Sequence, residues 1–139
     1  IMPSASRRCK LWSVTNWKIT LLALHKIGFH LKLLAGNLKE VEFAEKLIGD
    51  MQGSQVISKL NLTSIAKILL DARLMIGLDS GLTHLSAALG CPTIGIYLAS
   101  TPARTPLSGS GYIANLGDRG IVPSHETVLT AVKEALRAD

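Results

Sequence analysis

Asp79-Ser80-Gly81-Leu82-Thr83-His84 concentrates more usable chemistry than any other stretch of the chain. It follows directly on the apolar run 74–78 (LMIGL), so a carboxylate, two hydroxyls, a glycine and an imidazole are gathered just beyond one buried segment. A carboxylate accepts hydrogen bonds from hydroxyl-rich ligands. Gly81 lets a ligand approach the backbone closely. If a helix starts here, the free N–H groups of its first turn and its dipole favour a phosphate. His84 lies three residues after Gly81 and four after Ser80, which puts it on their helix face. A plainer reading stands beside this one: Asp79 or Ser80 is an N-cap, and His84 is a half-buried helix residue. The block is neither a phosphate-binding G-x-x-x-x-G-K-[ST] loop nor a dinucleotide G-x-G-x-x-G fingerprint.

Two further places carry weaker signals. In Ser4-Ala5-Ser6-Arg7-Arg8-Cys9-Lys10-Leu11-Trp12, hydroxyls and cations precede a helical pattern. Ser6 as a donor and Lys10 as a mobile point charge suit a pyrophosphate; the alternative is a solvated basic segment. Glu40 follows the turn pair Gly36-Asn37. A carboxylate at the end of a strand can accept from ribose hydroxyls, or it can be a favourable charge in the first turn of a helix.

These groups must be positioned by something, and the chain of 139 residues is about one domain's worth. Apolar residues make up 47% and charged residues 18%, the balance of a folded soluble protein with a core of Leu, Ile, Val and Ala. No run approaches the ~20 apolar residues of a membrane span, and no apolar stretch follows Ile1-Met2-Pro3-Ser4 as in a signal peptide. A start at Ile suggests a fragment of a longer polypeptide. The net charge of +5 fits a basic face drawn to phosphates or to an anionic membrane surface, or simply a solvated one. Nucleic acid is not expected, because no basic run interleaved with aromatics is present. Cys9 and Cys91 match no metal-ligand spacing and suit two free thiols in a reducing cytoplasm.

The elements alternate. Residues 15–27 carry Trp17, Leu21, Leu24 and Ile27 at helical spacing, with Thr15 or Asn16 as cap and Gly28 as stop. Residues 29–35 read as a strand, and 38–51 as a helix with Val41, Ala44 and Ile48 inward. Residues 55–58 read as a short strand, and 62–70 as a helix capped by Asn61. Residues 74–78 and 93–97 are apolar enough to be strands buried on both faces. Residues 81–89 between them predict a helix with Leu82, Leu85, Ala88 and Leu89 inward and Gly90 as its cap. Residues 100–120 read as loop with a short element at Tyr112–Ile113, and a last helix runs from Pro123-Ser124 to about Ala138. This order predicts an α/β fold with a Rossmann-like, doubly wound parallel sheet and right-handed crossovers, in one domain over 1–139. Ligands then belong outside the carboxyl ends of the strands, where the Asp79 block falls.

Together the three places resemble glycosyltransferase family 9, the lipopolysaccharide heptosyltransferases. The run from Ile76-Gly77-Leu78-Asp79-Ser80-Gly81-Leu82-Thr83-His84-Leu85 through Ala87-Ala88-Leu89-Gly90-Cys91-Pro92 is similar to the family's V-G-x-D-[ST]-G-L-x-H-L-x-A-A-L-x-x-P. Ser6-Arg7, Lys10-Leu11-Trp12 and Asn16-Trp17 resemble its T-[ST]-R-x-x-K-x-W block, and Gly36 to Glu42 its G-x-x-x-E-x-E turn. The resemblance spans the whole chain but only the C-terminal half of the family's enzymes. It implies the C-terminal domain of a GT-B glycosyltransferase, binding ADP-heptose for transfer of heptose to the Kdo-lipid A inner core. The N-terminal domain, which holds the acceptor and an Asp base, is expected to be absent, leaving a fragment that binds donor without turning it over.

Carried over by position, Ser6 and Lys10 contact phosphate and Glu40 the ribose. Leu60 lies near the adenine, Asp79 holds heptose hydroxyls, and Ser80 and Gly81 offer donors to the diphosphate beside His84. No catalytic residue, metal or cofactor is expected in this half. The implied setting is the cytoplasm, with peripheral contact with the inner membrane. The alternative is a non-catalytic or vestigial nucleotide-binding module; a NAD-dependent oxidoreductase is disfavoured because no G-x-G-x-x-G follows a strand. Departures from the family pattern are Ala5 in place of a hydroxyl residue, Arg8 and Cys9 in place of acidic ones, Ser13 in place of Pro, and Leu98 in place of Gly.

Overall fold

The computed structural model describes residues 1–5 and 11–138. Among the described residues, five helices and five strands alternate up to β4, which β5 follows directly: α1 (Val14–Lys26), β1 (Lys32–Ala35), α2 (Leu38–Ile48), β2 (Gln55–Ser58), α3 (Leu62–Asp71), β3 (Met75–Leu78), α4 (Gly81–Ala88), β4 (Thr93–Tyr97), β5 (Ile113–Gly117) and α5 (His125–Arg137). β1 pairs with β2, and β4 lies between β3 and β5, every pair parallel. The two sheets are joined by Ile1-Met2. Leu34 N–H donates to Ile1 O on one side, while Met2 N–H donates to Ile76 O and Leu78 N–H to Met2 O on the other. The spatial order is therefore β2-β1-(Ile1-Met2)-β3-β4-β5. The chain winds outward through β1 and β2, then returns to begin β3 on the other side of Ile1-Met2. That reversal is a topological switch point, where open α/β sheets hold their ligands.

Both faces of the sheet are covered, as a parallel sheet requires. One apolar cluster packs Trp17, Leu21 and Leu24 of α1, Leu47 of α2 and Val128 and Val132 of α5 against Leu33, Ile76, Leu78, Ile94 and Ile96. A second, smaller one sets Leu69 of α3 and Leu82 and Leu85 of α4 around Leu34 and Met75. Trp12 and Trp17 meet edge to face at 4.9 Å, and Trp12 Nε1 donates to Pro123 O at 2.9 Å, tying the lead-in to α1 to the start of α5. No helix among the described residues is long and apolar enough to cross a membrane.

Most expected elements are present, with β2 and β4 at the expected residues. Four local expectations change. Ser13, not Thr15 or Asn16, caps α1, accepting from Asn16 N–H. Ile27 lies just past the end of α1 and is exposed, so it takes no part in the core. Residues 113–117 form an edge strand inside what reads as loop, because IANLG has neither alternation nor an apolar run; pairing with β4 decides it.

Finally, α4 turns Thr83, Ser86 and Ala87 toward the sheet, while Leu82, Leu85 and Leu89 are half-buried toward α3 and Ala88 is exposed. The hydroxyls can be buried because each finds a partner: Thr83 donates to Leu78 O at 2.6 Å, and Ser86 meets Thr93 Oγ1 at 3.0 Å. Small side chains there let the helix sit directly over Gly77, where an added Cβ would collide with Thr83 Oγ1.

Candidate functional site

An open groove of about 1150 Å³ lies at the carboxyl ends of the strands, over the switch point. Met2, Ser4 and Ala5 line one wall, Asp79 to Leu82 with His84 the floor, and Glu40, Leu62 and Arg104 to Pro106 the rim. A second, mostly apolar cavity of about 210 Å³ opens at the opposite, amino end of the strands around Ile1, Leu31, Leu34 and Met75. Convergent polar groups mark the first as the functional candidate.

The floor is built by the β3–α4 turn. Asp79 N–H donates to Ile96 O at 3.0 Å, which extends the β3–β4 ladder up to the carboxylate. His84 Nε2 lies 2.8 Å from Asp79 Oδ1, and Ser100, from the segment after β4, donates through Oγ to Asp79 Oδ2. The Asp79 side chain is 12% exposed and His84 35%, and both line the groove. Ser80, Gly81 and His84 all line this groove. Burial, and after it the neighbouring Asp79 carboxylate, push the Tyr97 phenol up to about 12, so it stays protonated and donates to Thr105 O at 2.7 Å.

Helix α4 begins differently from the other four helices described. Ser13, Asn37, Asn61 and Ser124 each cap their helix by a side-chain hydrogen bond, whereas Ser80 makes none to the backbone of α4. Ser80 Oγ turns instead to Thr83 Oγ1 at 3.1 Å. The first amides of α4 are left without side-chain acceptors and open toward the groove, the arrangement that receives an anion. Thr83 anchors this turn. Replacing it with Val keeps the shape but removes the buried hydroxyl, so Thr83→Val is expected to cost about 1–3 kcal/mol in urea unfolding. An unchanged midpoint would show that the Leu78 contact does not hold the turn.

The remaining expected residues divide. Glu40 lines the groove, but one carboxylate oxygen accepts the Gly36 N–H while Asn37 accepts the Glu40 N–H at 2.9 Å, so Glu40 also secures the start of α2. Both readings of Glu40 are compatible with this geometry. Leu60 is 40% exposed and is not among the groove-lining residues; Leu62, at the start of α3, is. Ser6 and Lys10 lie outside the described residues, as do Arg7, Arg8 and Cys9. Of the departures from the family pattern, Ala5 borders the groove, whereas Leu98 is buried in the main core and does not enter it. Cys91 is a free, buried thiol, pushed upward in pKa by burial. Among the described residues, no group of three His, Cys, Asp or Glu side chains could hold a metal ion.

Sequence reasoning overlooked Ser100 and Arg104. Ser100 follows the carboxyl end of β4, the strand beside Asp79, and the rule that sites collect at such ends is the signal that could have found it.

Comparison with known proteins adds identity to this geometry. Residues 1–131 match the family model described as glycosyltransferase family 9 (heptosyltransferase). The chain is 30% identical over 104 residues to lipopolysaccharide heptosyltransferase 1 of Pseudomonas aeruginosa, covering 75% of this chain and 29% of the relative. It is 31% identical over 99 residues to the Escherichia coli enzyme of the same name, covering 71% of this chain and 31% of the relative. It thus spans less than a third of the length of these relatives. Among solved structures, E. coli heptosyltransferase WaaC with ADP superposes with a TM-score of 0.86 at 26% identity, covering 96% of this chain and 42% of that one. The same enzyme with ADP-2-deoxy-2-fluoro heptose gives 0.84 at 25% identity, covering 96% and 41%.

Proposed function

The chain belongs to glycosyltransferase family 9, and from that premise we propose that it is the donor-binding half of a type I lipopolysaccharide heptosyltransferase, holding ADP-heptose in the groove over β3 and α4. The observation that carries this reading is the uncapped start of α4, opening at the switch point beside a fixed carboxylate. A nucleoside diphosphate sugar needs both features: amide donors for the diphosphate and a charged acceptor for sugar hydroxyls.

In the complete enzyme, an acceptor hydroxyl of Kdo-lipid A attacks the anomeric carbon of the heptose. A carboxylate base in the other half takes the hydroxyl proton. The bond from the anomeric carbon to the β-phosphate oxygen breaks with inversion, and ADP departs with the electron pair. Charge developing on that oxygen is met by the first amides of α4, around Gly81 and Leu82, donors that need no reorganisation as the bond breaks, and Lys10 adds a positive charge. Ser80 adds a hydroxyl beside them, Glu40 accepts from the ribose, and Leu62, on the rim, borders the base. Asp79 holds the sugar, oriented by His84. In this reading the enzyme is cytoplasmic and meets the inner membrane through its lipid acceptor.

The test is titration of the chain with ADP and AMP. ADP is expected to bind roughly tenfold tighter or more, because its second phosphate adds at least one charge-assisted hydrogen bond of about 1.5–3 kcal/mol. Equal affinity for the two nucleotides would overturn the placement of the diphosphate at α4.

A further inference from the structure

We infer that Arg104 is a phosphate ligand of the donor, its guanidinium pairing with the β-phosphate that carries the sugar. The inference deepens the donor-site reading above and rests on it. Among the described residues that line the groove, Glu40 and Asp79 bring two carboxylates, and Arg104 brings the single permanent positive charge. A diphosphate that enters past two carboxylates is repelled, and a cation on the same rim offsets that repulsion. Arg104 is exposed, and among the described residues no carboxylate lies within ion-pairing distance of it. Its planar fork of N–H donors, which matches two oxygens of one phosphate, is left for a ligand.

The backbone beneath this side chain is held on both sides. Arg104 N–H donates to Thr101 O at 3.1 Å, closing a turn, and just before it Ser100 donates through Oγ to Asp79 Oδ2. Just after it, Thr105 O accepts from the Tyr97 phenol at 2.7 Å, and Leu107 N–H donates to Asn115 Oδ1 at 3.0 Å, with the Leu107 side chain buried over Gly95. A phosphate contact therefore has to order the side chain and not the loop, which lowers its cost. The strand order says which phosphate it meets. Leu62 follows β2, Glu40 follows β1, Asp79 follows β3 and Arg104 follows β4, so Arg104 reaches the groove from the far side of Asp79 relative to Glu40. With the ribose at Glu40 and the sugar at Asp79, the phosphate on the Arg104 side is the one bonded to the sugar. When the bond from the anomeric carbon breaks, the electron pair stays on that phosphate's oxygen, where a fixed positive charge stabilises it.

The experiment is calorimetric titration of the chain with AMP, ADP and ADP-heptose at low and at high ionic strength, as wild type, Arg104→Gln and Arg104→Lys. Arg104→Gln is expected to weaken ADP and ADP-heptose roughly tenfold at low ionic strength and to leave AMP, which has no β-phosphate, unchanged within error. Arg104→Lys, which keeps the charge but loses the fork, is expected to recover part of that loss. The deficit of Arg104→Gln is expected to shrink at high ionic strength, because an ion pair on an open rim is screened. Loss on ADP-heptose alone would put Arg104 on the sugar, and equal loss on all three ligands would make it a general field effect. Either outcome, no loss on any ligand, or no recovery by lysine would overturn the assignment of Arg104 alone. A wild-type chain that binds none of the three, or binds AMP as tightly as ADP, would overturn the donor-site reading, and this inference with it.

Discussion

Asp79→Asn is expected to weaken ADP-heptose binding by roughly tenfold or more, with ADP affinity level or slightly higher. The carboxylate sits at the end of β3, immediately before the helix start proposed to receive the diphosphate. Next to phosphates a carboxylate is repulsive, a cost that hydrogen bonds accepted from sugar hydroxyls would offset. A charged acceptor makes such bonds at about 1.5–3 kcal/mol each, and a neutral amide at less. Asparagine preserves the shape, removes the charge and relieves the repulsion toward ADP. Lys10→Ala supplies the contrast: with Lys10 on the phosphates, as proposed, its loss weakens both ligands alike. Paired titrations of both ligands against both variants read the difference directly. If Asp79→Asn lowers ADP affinity as much as ADP-heptose affinity, Asp79 is a structural element of the β3–α4 turn and not a sugar ligand.

Gly109→Ala is expected to destabilise the chain by about 3 kcal/mol, although Gly109 is exposed and lies in a loop. A Cβ at Gly109 would stand 1.7 Å from the carbonyl oxygen of Ala87, inside the last turn of α4. The obstacle is backbone, so no side-chain rotation relieves it. Nor can the loop simply lift away. Two residues on, Gly111 is pressed against Gly90, where a Cβ would meet the carbonyl oxygen at 2.4 Å, and Tyr112 O then accepts Thr93 N–H at 2.8 Å as β5 begins. Either α4 shifts, disturbing the floor of the groove, or the start of β5 detaches. Thermal unfolding should record a drop of about 10 °C. A loss under about 1 kcal/mol would mean that this loop adapts freely and does not bear on α4.

Much of this protein is legible from local pattern. The apolar runs at 74–78 and 93–97 specify buried parallel strands because nothing polar in them could face water. Asn61, Ser124 and Gly90 mark helix ends through chemistry that acts over three or four residues: a side-chain oxygen reaching a nearby N–H, or a positive φ that only glycine adopts cheaply. The Asp79 block identifies its own turn for the same reason, and its motif identifies the family.

Tertiary structure decided what depends on partners distant in the chain. Ile1-Met2 is too short to carry any periodicity, and it becomes the central element of the sheet only because β1 and β3 leave hydrogen-bonding groups on either side of it. Residues 113–117 become a strand because β4 offers an unpaired edge. The face that α4 buries runs against its hydrophobic pattern, since Gly77 leaves room for a close approach and the buried hydroxyls of Thr83 and Ser86 find acceptors there. Ser100 reaches Asp79 across 21 positions of sequence. Local propensity is a property of neighbours along the chain. A contact between residues far apart is selected only when the whole fold brings donor and acceptor together and excludes the water that would otherwise satisfy them.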